Sequence, residues 1–186
     1  HIYMKKNIYF IFSLIFIQLI SFNSIAHDAS KAWKNAHKST VIVLPTWPGY
    51  SKPGYGAPKG TAPAGTGFYL SIGNDELESK FIMTAAHVIK NSTVVEIKNY
   101  KNEYEEVEVL LVDYKTDIAI LKSKEKGRSI TISREKIKIG NEVCVIGNSF
   151  GLGQSLSCGI VSGKNRKNLG FNQIENFIQT DAAVNP

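Results

Sequence analysis

The chain has 186 residues, 43% of them hydrophobic and 20% charged, which suits one domain of ordinary size or two small packed halves and excludes general disorder. Its formal charge of +6 raises the question of nucleic acid. The Lys and Arg are scattered among Glu and Asp, though, and do not form a basic face interleaved with aromatics, so nucleic acid is not the expected partner. The 15 glycines and the short Val- and Ile-rich runs favour an all-β fold over a helical one.

In chain order, Met4 is followed by Lys5 and Lys6, an apolar run from Ile8 to Ile20, and the small-residue site Ser24-Ile25-Ala26. That order predicts a secretory signal peptide over residues 1–26, cut after Ala26, and an exported protein, periplasmic or secreted. The run is short for a membrane span, so a membrane is a partner only if the leader stays uncleaved. Residues 27–38 read as a short helix or a loose segment. Thr40 to Leu44 reads as a strand. The stretch 45–65, with Pro45, Pro48, Pro53, Pro58 and Pro63, reads as a long loop able to hold neither ladder nor helix. A loop of that length is either functional or mobile.

Short strand candidates then follow closely: Phe68, Leu70 and Ile72 in alternation, then Lys80 to Thr84, Val94 to Lys98, Val107 to Val112 and Ile118 to Leu121. The polar stretch Lys122 to Arg128 is the expected link between two halves. Strands resume at Glu142 to Ile146, Leu156 to Ser162 and Asn176 to Thr180. Closely spaced short strands with Gly-rich turns indicate a barrel or sandwich. Cys144 and Cys158 lie in two of these runs. A hairpin centred near Gly151 sets them opposite each other. A disulfide and two buried thiols both remain open on that evidence, because spacing does not fix connectivity.

Four segments carry candidate chemistry. His87 follows the apolar run Phe81-Ile82-Met83 and the small residues Thr84-Ala85-Ala86, which let the chain turn tightly and present the imidazole at a strand end. A histidine there can act as a general base, although an isolated one is more often structural. Asp117 opens the apolar strand Ile118-Ala119-Ile120-Leu121. A carboxylate beside a core strand needs a partner, and an imidazole N–H is one. The plainer reading is a turn or capping acid of the kind Asp113 supplies nearby. Gly147 to Gly153 is rich in glycine but lacks the Gly-Lys-Ser ending and following helix of a phosphate loop, so it reads as a hairpin turn. Finally, Phe177-Ile178-Gln179-Thr180-Asp181-Ala182-Ala183-Val184-Asn185-Pro186 runs from a strand into small residues.

Together these segments resemble the HtrA/Deg group of trypsin-like serine endopeptidases, over about residues 65–186 and more loosely over Thr40 to Leu44. Thr84-Ala85-Ala86-His87-Val88 matches the group's histidine motif, and Thr116-Asp117-Ile118-Ala119-Ile120-Leu121 matches its aspartate motif. Gly147-Asn148-Ser149-Phe150-Gly151-Leu152-Gly153 is similar to its turn, with Ser149 where Pro is usual. Gln179-Thr180-Asp181-Ala182-Ala183 resembles the approach to its Gly-Asn-Ser-Gly-Gly nucleophile motif. The order His, Asp, Ser is that of chymotrypsin.

The resemblance implies a chymotrypsin-like double antiparallel β-barrel. The first barrel spans residues 39–124 and carries the 45–65 loop at a variable regulatory position. The second, 125–186, is incomplete. It implies His87 as base and Asp117 as orienting acid, with the serine a few residues past Pro186, so that this chain alone is expected to be inert. Ala183 and Val184 fall where the specificity pocket is walled. They carry no charge, so cleavage after small or medium apolar residues is expected. Substrates are expected to be proteins or peptides, a homo-oligomer is compatible with the group, and no cofactor is expected. The rival readings are an inactive homologue serving as a binding or chaperone module, a trypsin-like protease of another group, and a metal site on His87, Asp117 and a cysteine. No paired metal-ligand spacing supports the last.

Overall fold

Period-two alternation of apolar and polar residues builds most of the structure. A computed structural model describes residues 29–71, 77–148 and 153–184. Within them the chain runs α1 (Ala29–Ala36), β1 (Thr40–Thr46), β2 (Gly65–Tyr69), β3 (Glu78–Thr84), β4 (Val94–Lys98), β5 (Tyr104–Glu106), β6 (Glu108–Asp113), β7 (Ile118–Arg128), β8 (Glu142–Gly147), β9 (Ser155–Arg166) and β10 (Phe177–Thr180). The strands make a seven-stranded sheet, ordered β5-β4-β1-β2-β3-β7-β6, and a three-stranded sheet, ordered β10-β9-β8. The named strand pairs are antiparallel.

The larger sheet curls so that its two edges follow one another in one run of chain. β5 pairs with β4 and β6 pairs with β7, so the two edges are joined with only Val107 between them. Val107 is buried, and its N–H donates to the Val95 carbonyl at 2.9 Å. Inward residues fill the barrel: Val41 and Val43 from β1, Tyr69 from β2, Ile82 from β3, Val95 and Ile97 from β4, and Ala119 and Leu121 from β7. Each fully buried Ile or Leu among them stabilises the fold by about 1.5–3 kcal/mol. Two glycines are required by close packing. A Cβ on Gly67 would meet Ile82 at 2.9 Å, and one on Gly127 would sit 2.2 Å from the Tyr69 ring.

The second sheet seats against the first through hydrogen bonds, one of them from the Ile174 N–H to the Lys115 carbonyl at 3.2 Å. The Asn148 N–H donates to Thr66 Oγ1 at 2.9 Å, and Gln154 Nε2 donates to the Thr40 carbonyl at 2.8 Å. Cys144 and Cys158 are direct cross-strand partners in β8 and β9, joined by a disulfide with Cα atoms 4.1 Å apart. That spacing is that of the closer type of antiparallel pair.

Several expectations need correction. Lys122–Arg128 is not a link: β7 continues through it, pairing Lys122 with Phe81, Gly127 with Ser79 and Arg128 with Glu78. The charged residues there project outward while Ser123 is buried, so a polar run is still a strand. The residues after β7 make one isolated bridge, Leu70 with Ile130. Pro45 does enter a ladder, opposite Val95, and its carbonyl accepts the Gly54 N–H at 2.9 Å. Its missing N–H costs no ladder bond, because the Val95 carbonyl opposite accepts from the Val107 N–H instead. The rest of the Pro/Gly loop folds over buried Trp47, whose Nε1 donates to the Lys90 carbonyl at 3.0 Å. β2 stops at Tyr69, short of Leu70, and Tyr104–Glu106 is an additional strand. Residues 29–36 are a helix with no buried residue. The expected signal peptide over residues 1–26, Ile72, the expected turn residues 149–152 and the terminal Asn185 and Pro186 lie outside the described residues.

Candidate active site

β3 ends at Thr84, and the chain turns at once. Ala85 is extended (φ −78°, ψ 138°) and a single 3₁₀ turn spans Ala86–Ile89. Buried Ala86 and Ile89 belong to the barrel core, and Val88 packs against Gly65. A Cβ on Gly65 would lie 2.6 Å from the Val88 methyl groups, so glycine is needed there. With its neighbours turned inward, His87 faces out. Its side chain is 70% exposed.

Asp117 arrives from the other side of the same barrel end. β6 and β7 form a hairpin across Tyr114–Asp117, with Asp113 opposite Ile118. Asp113 Oδ1 accepts the Lys115 N–H at 2.9 Å and Oδ2 accepts the Thr116 hydroxyl at 2.7 Å. The hydroxyl, then the Lys115 amide, hold the Asp113 carboxyl below its ordinary value. Asp117 has φ 59°, a left-handed conformation that Asp tolerates better than most residues.

The two side chains meet although thirty positions separate them. His87 Nδ1 lies 2.6 Å from Asp117 Oδ2, and the His87 backbone N–H donates to Oδ1 at 2.8 Å. The Asp117 carbonyl in turn accepts the Ala86 N–H at 3.1 Å. The carboxylate is only 21% exposed. A carboxylate is acceptor-only, so Nδ1 carries the proton in this contact, and in the neutral imidazole Nε2 then keeps a lone pair. Chemically, that is an oriented imidazole able to take a proton from an approaching hydroxyl.

Ala183 and Val184 are exposed just past β10. Val184 borders an open apolar cleft on the second sheet with Phe171, Phe177 and Ile178, and neither His87 nor Asp117 lines that cleft. Among the described residues no three of His, Cys, Asp and Glu group as metal ligands. From the sequence alone, Asp113 reads as an ordinary turn acid. Its contacts are with Lys115 and Thr116, the two residues that lead into Asp117, and an Asp at the head of a turn, which can accept from the N–H two residues on, was the available signal.

Comparison with known proteins bears on the family and the fold. The model of the trypsin-like peptidase domain matches residues 65–186. The "Probable periplasmic serine endoprotease DegP-like" of Buchnera aphidicola is 38% identical over 114 residues, covering 59% of this chain and 24% of that protein. The "Periplasmic serine endoprotease DegP" of Escherichia coli K12 is 31% identical over 113 residues, with the same coverage of each chain. The chain thus spans about a quarter of the length of these relatives. Among solved structures, the HtrA-type protease AlgW with tripeptide superposes with a TM-score of 0.72 at 27% identity, covering 86% of this chain and 48% of that one. The same protease with decapeptide gives 0.68 at 25%, covering 86% and 53%. The curled seven-stranded sheet, the three-stranded start of a second barrel and these matches together show that the chain belongs to the trypsin-like peptidase family, in its HtrA/Deg group, with a chymotrypsin-like fold whose second barrel is incomplete.

Proposed function

We propose that this chain carries the base half of a serine endopeptidase: His87 is the general base and Asp117 orients it, while the nucleophilic serine lies beyond residue 186. The observation that carries the reading is the double contact of one carboxylate with His87, at Nδ1 (2.6 Å) and at the backbone N–H (2.8 Å). Nε2 takes the serine proton as the hydroxyl oxygen attacks the peptide carbonyl. The same nitrogen returns that proton to the leaving amine, and Asp117 stabilises the imidazolium between the two steps. Backbone N–H groups near the serine hold the oxyanion, a contribution of about 3–4 kcal/mol per donor in a model protease.

The relatives named periplasmic support export of this protein. Solved HtrA-type relatives holding short peptides support protein or peptide substrates. Ala183 and Val184, uncharged, would favour small or medium apolar residues on the acyl side of the cleaved bond. The test uses the longer gene product that contains the serine. A fluorophosphonate should label one serine, and His87→Ala should abolish labelling and peptide cleavage together. Undiminished labelling of His87→Ala would overturn the assignment, and a strong preference for Arg in a peptide library would overturn the pocket.

A further inference from the structure

Asp117 is held in place at three points. Its carboxylate contacts His87, its carbonyl accepts the Ala86 N–H, and its left-handed backbone is set by the turn that precedes it. The first two contacts belong to the pair itself. The third depends on Asp113, which stands at the end of β6 and reaches forward across the turn with both carboxylate oxygens. One oxygen fixes the Lys115 amide and the other the Thr116 hydroxyl, so the peptide leading into Asp117 is gripped from the residue immediately before it. Left-handed Asp is not self-stabilising: a non-glycine residue stays there when its surroundings over-determine it. A small rotation at residue 116 would swing the Asp117 carboxylate off the imidazole, and misplacements near 1 Å are costly in an oriented site.

We propose that Asp113, acting through the Lys115 amide and the Thr116 hydroxyl, is a positioning residue that sets the Asp117 carboxylate on His87 Nδ1, an inference that rests on reading His87 and Asp117 as base and orienting acid. The hydrogen bonds of the Asp113 carboxylate go to Lys115 and Thr116, not to either partner of the pair. It works on the backbone that delivers Asp117.

The test is imidazole NMR on this chain with ¹⁵N-labelled histidine. The wild type should show His87 in one tautomer, with a low-field proton on Nδ1. Asp113→Ala and Thr116→Val should each reduce the low-field signal by at least about threefold and mix the tautomers, with amide shifts of β1–β4 unchanged. Asp113→Asn, which still accepts the Lys115 amide, and Thr116→Ser should restore most of it. Wild-type signal in both Asp113→Ala and Thr116→Val overturns the positioning role alone. So does equal behaviour of the Asn and Ala variants with shifts spread across the barrel. A wild type lacking the low-field proton overturns instead the pairing of His87 with Asp117.

Discussion

Breaking the Cys144–Cys158 disulfide should loosen one sheet and spare the other. The bridge closes a loop with a sequence separation of 14, and closing a loop of that size is worth about 3 kcal/mol against the open chain. What remains after reduction differs sharply between the sheets. The barrel keeps a contiguous core from Val41 to Leu121. In the second sheet the fully enclosed apolar side chain is Val161, while Ile160, Ile178 and Val184 stay exposed. With so little burial, local opening of β8–β10 is the process the cross-link restrains. A loss of about 3 kcal/mol raises the opening constant on the order of a hundredfold. Hydrogen exchange read by mass spectrometry, with and without dithiothreitol and on Cys144→Ser, measures it. Amides in 142–147 and 155–166 should lose about that factor of protection, and those in 40–46, 80–84 and 94–98 less than about threefold. An equal loss in both sheets would show one cooperative unit, and no loss in β8–β9 would show that the bridge constrains nothing. Either result refutes the reasoning.

Two further outcomes follow from packing and charge. Gly127→Ala forces a methyl to within 2.2 Å of the Tyr69 ring, so stability in urea should fall by about 1–3 kcal/mol, and an unchanged midpoint would contradict the close fit. Acid should also destabilise the fold through Asp113 and Glu175. Both carboxyls are held below their ordinary values of 3.8 and 4.5, Asp113 first by the Thr116 hydroxyl and Glu175 first by the Leu169 amide. Depressed folded values mean the contribution is full above the ordinary value and is lost as pH falls through the folded one. The melting temperature should therefore decline below about pH 4.5, less steeply in Asp113→Asn and Glu175→Gln; a flat profile down to pH 2.5 in the wild type, taken as a rough lower limit, would refute it.

The barrel was largely readable because its strands alternate. Val94–Lys98 matches its expected bounds, and β1, β3 and β8 extend theirs by a residue or two at an end. The errors have local causes. Lys122–Arg128 carries a surface alternation of charges whose strand character comes from pairing with β3, a partner over forty positions away at its far end. Pro45 looked like a breaker, but a ladder tolerates it where no donor is needed. His87 and Asp117 were legible as motifs. The resemblance those motifs carry implied their pairing, but the geometry of the contact was not legible, since it depends on a left-handed Asp and a one-turn 3₁₀ helix that composition does not encode. The cysteines show the opposite case: spacing left the bond open, and the register of Cys144 on Cys158 supplies what spacing lacked.

The elements that orient the imidazole lie almost wholly in one barrel. Ala86 and Ile89 anchor the 3₁₀ turn in its core, Gly65 makes room for Val88, and the β6–β7 turn delivers Asp117. The second sheet touches this assembly through the Ile174 N–H on the Lys115 carbonyl and the Asn148 N–H on Thr66. A nucleophile proposed to follow β10 would thus approach from the second sheet toward a base already oriented by the first. On that proposal, orientation of the imidazole is fixed by short-range packing within the barrel. The distance to the proposed hydroxyl would be set by a seam made of a few hydrogen bonds. Those bonds are individually worth about 0.5–1.5 kcal/mol, against a core of many buried side chains. The seam is therefore the softer coordinate, and changes in activity that leave His87 and Asp117 untouched should arise there.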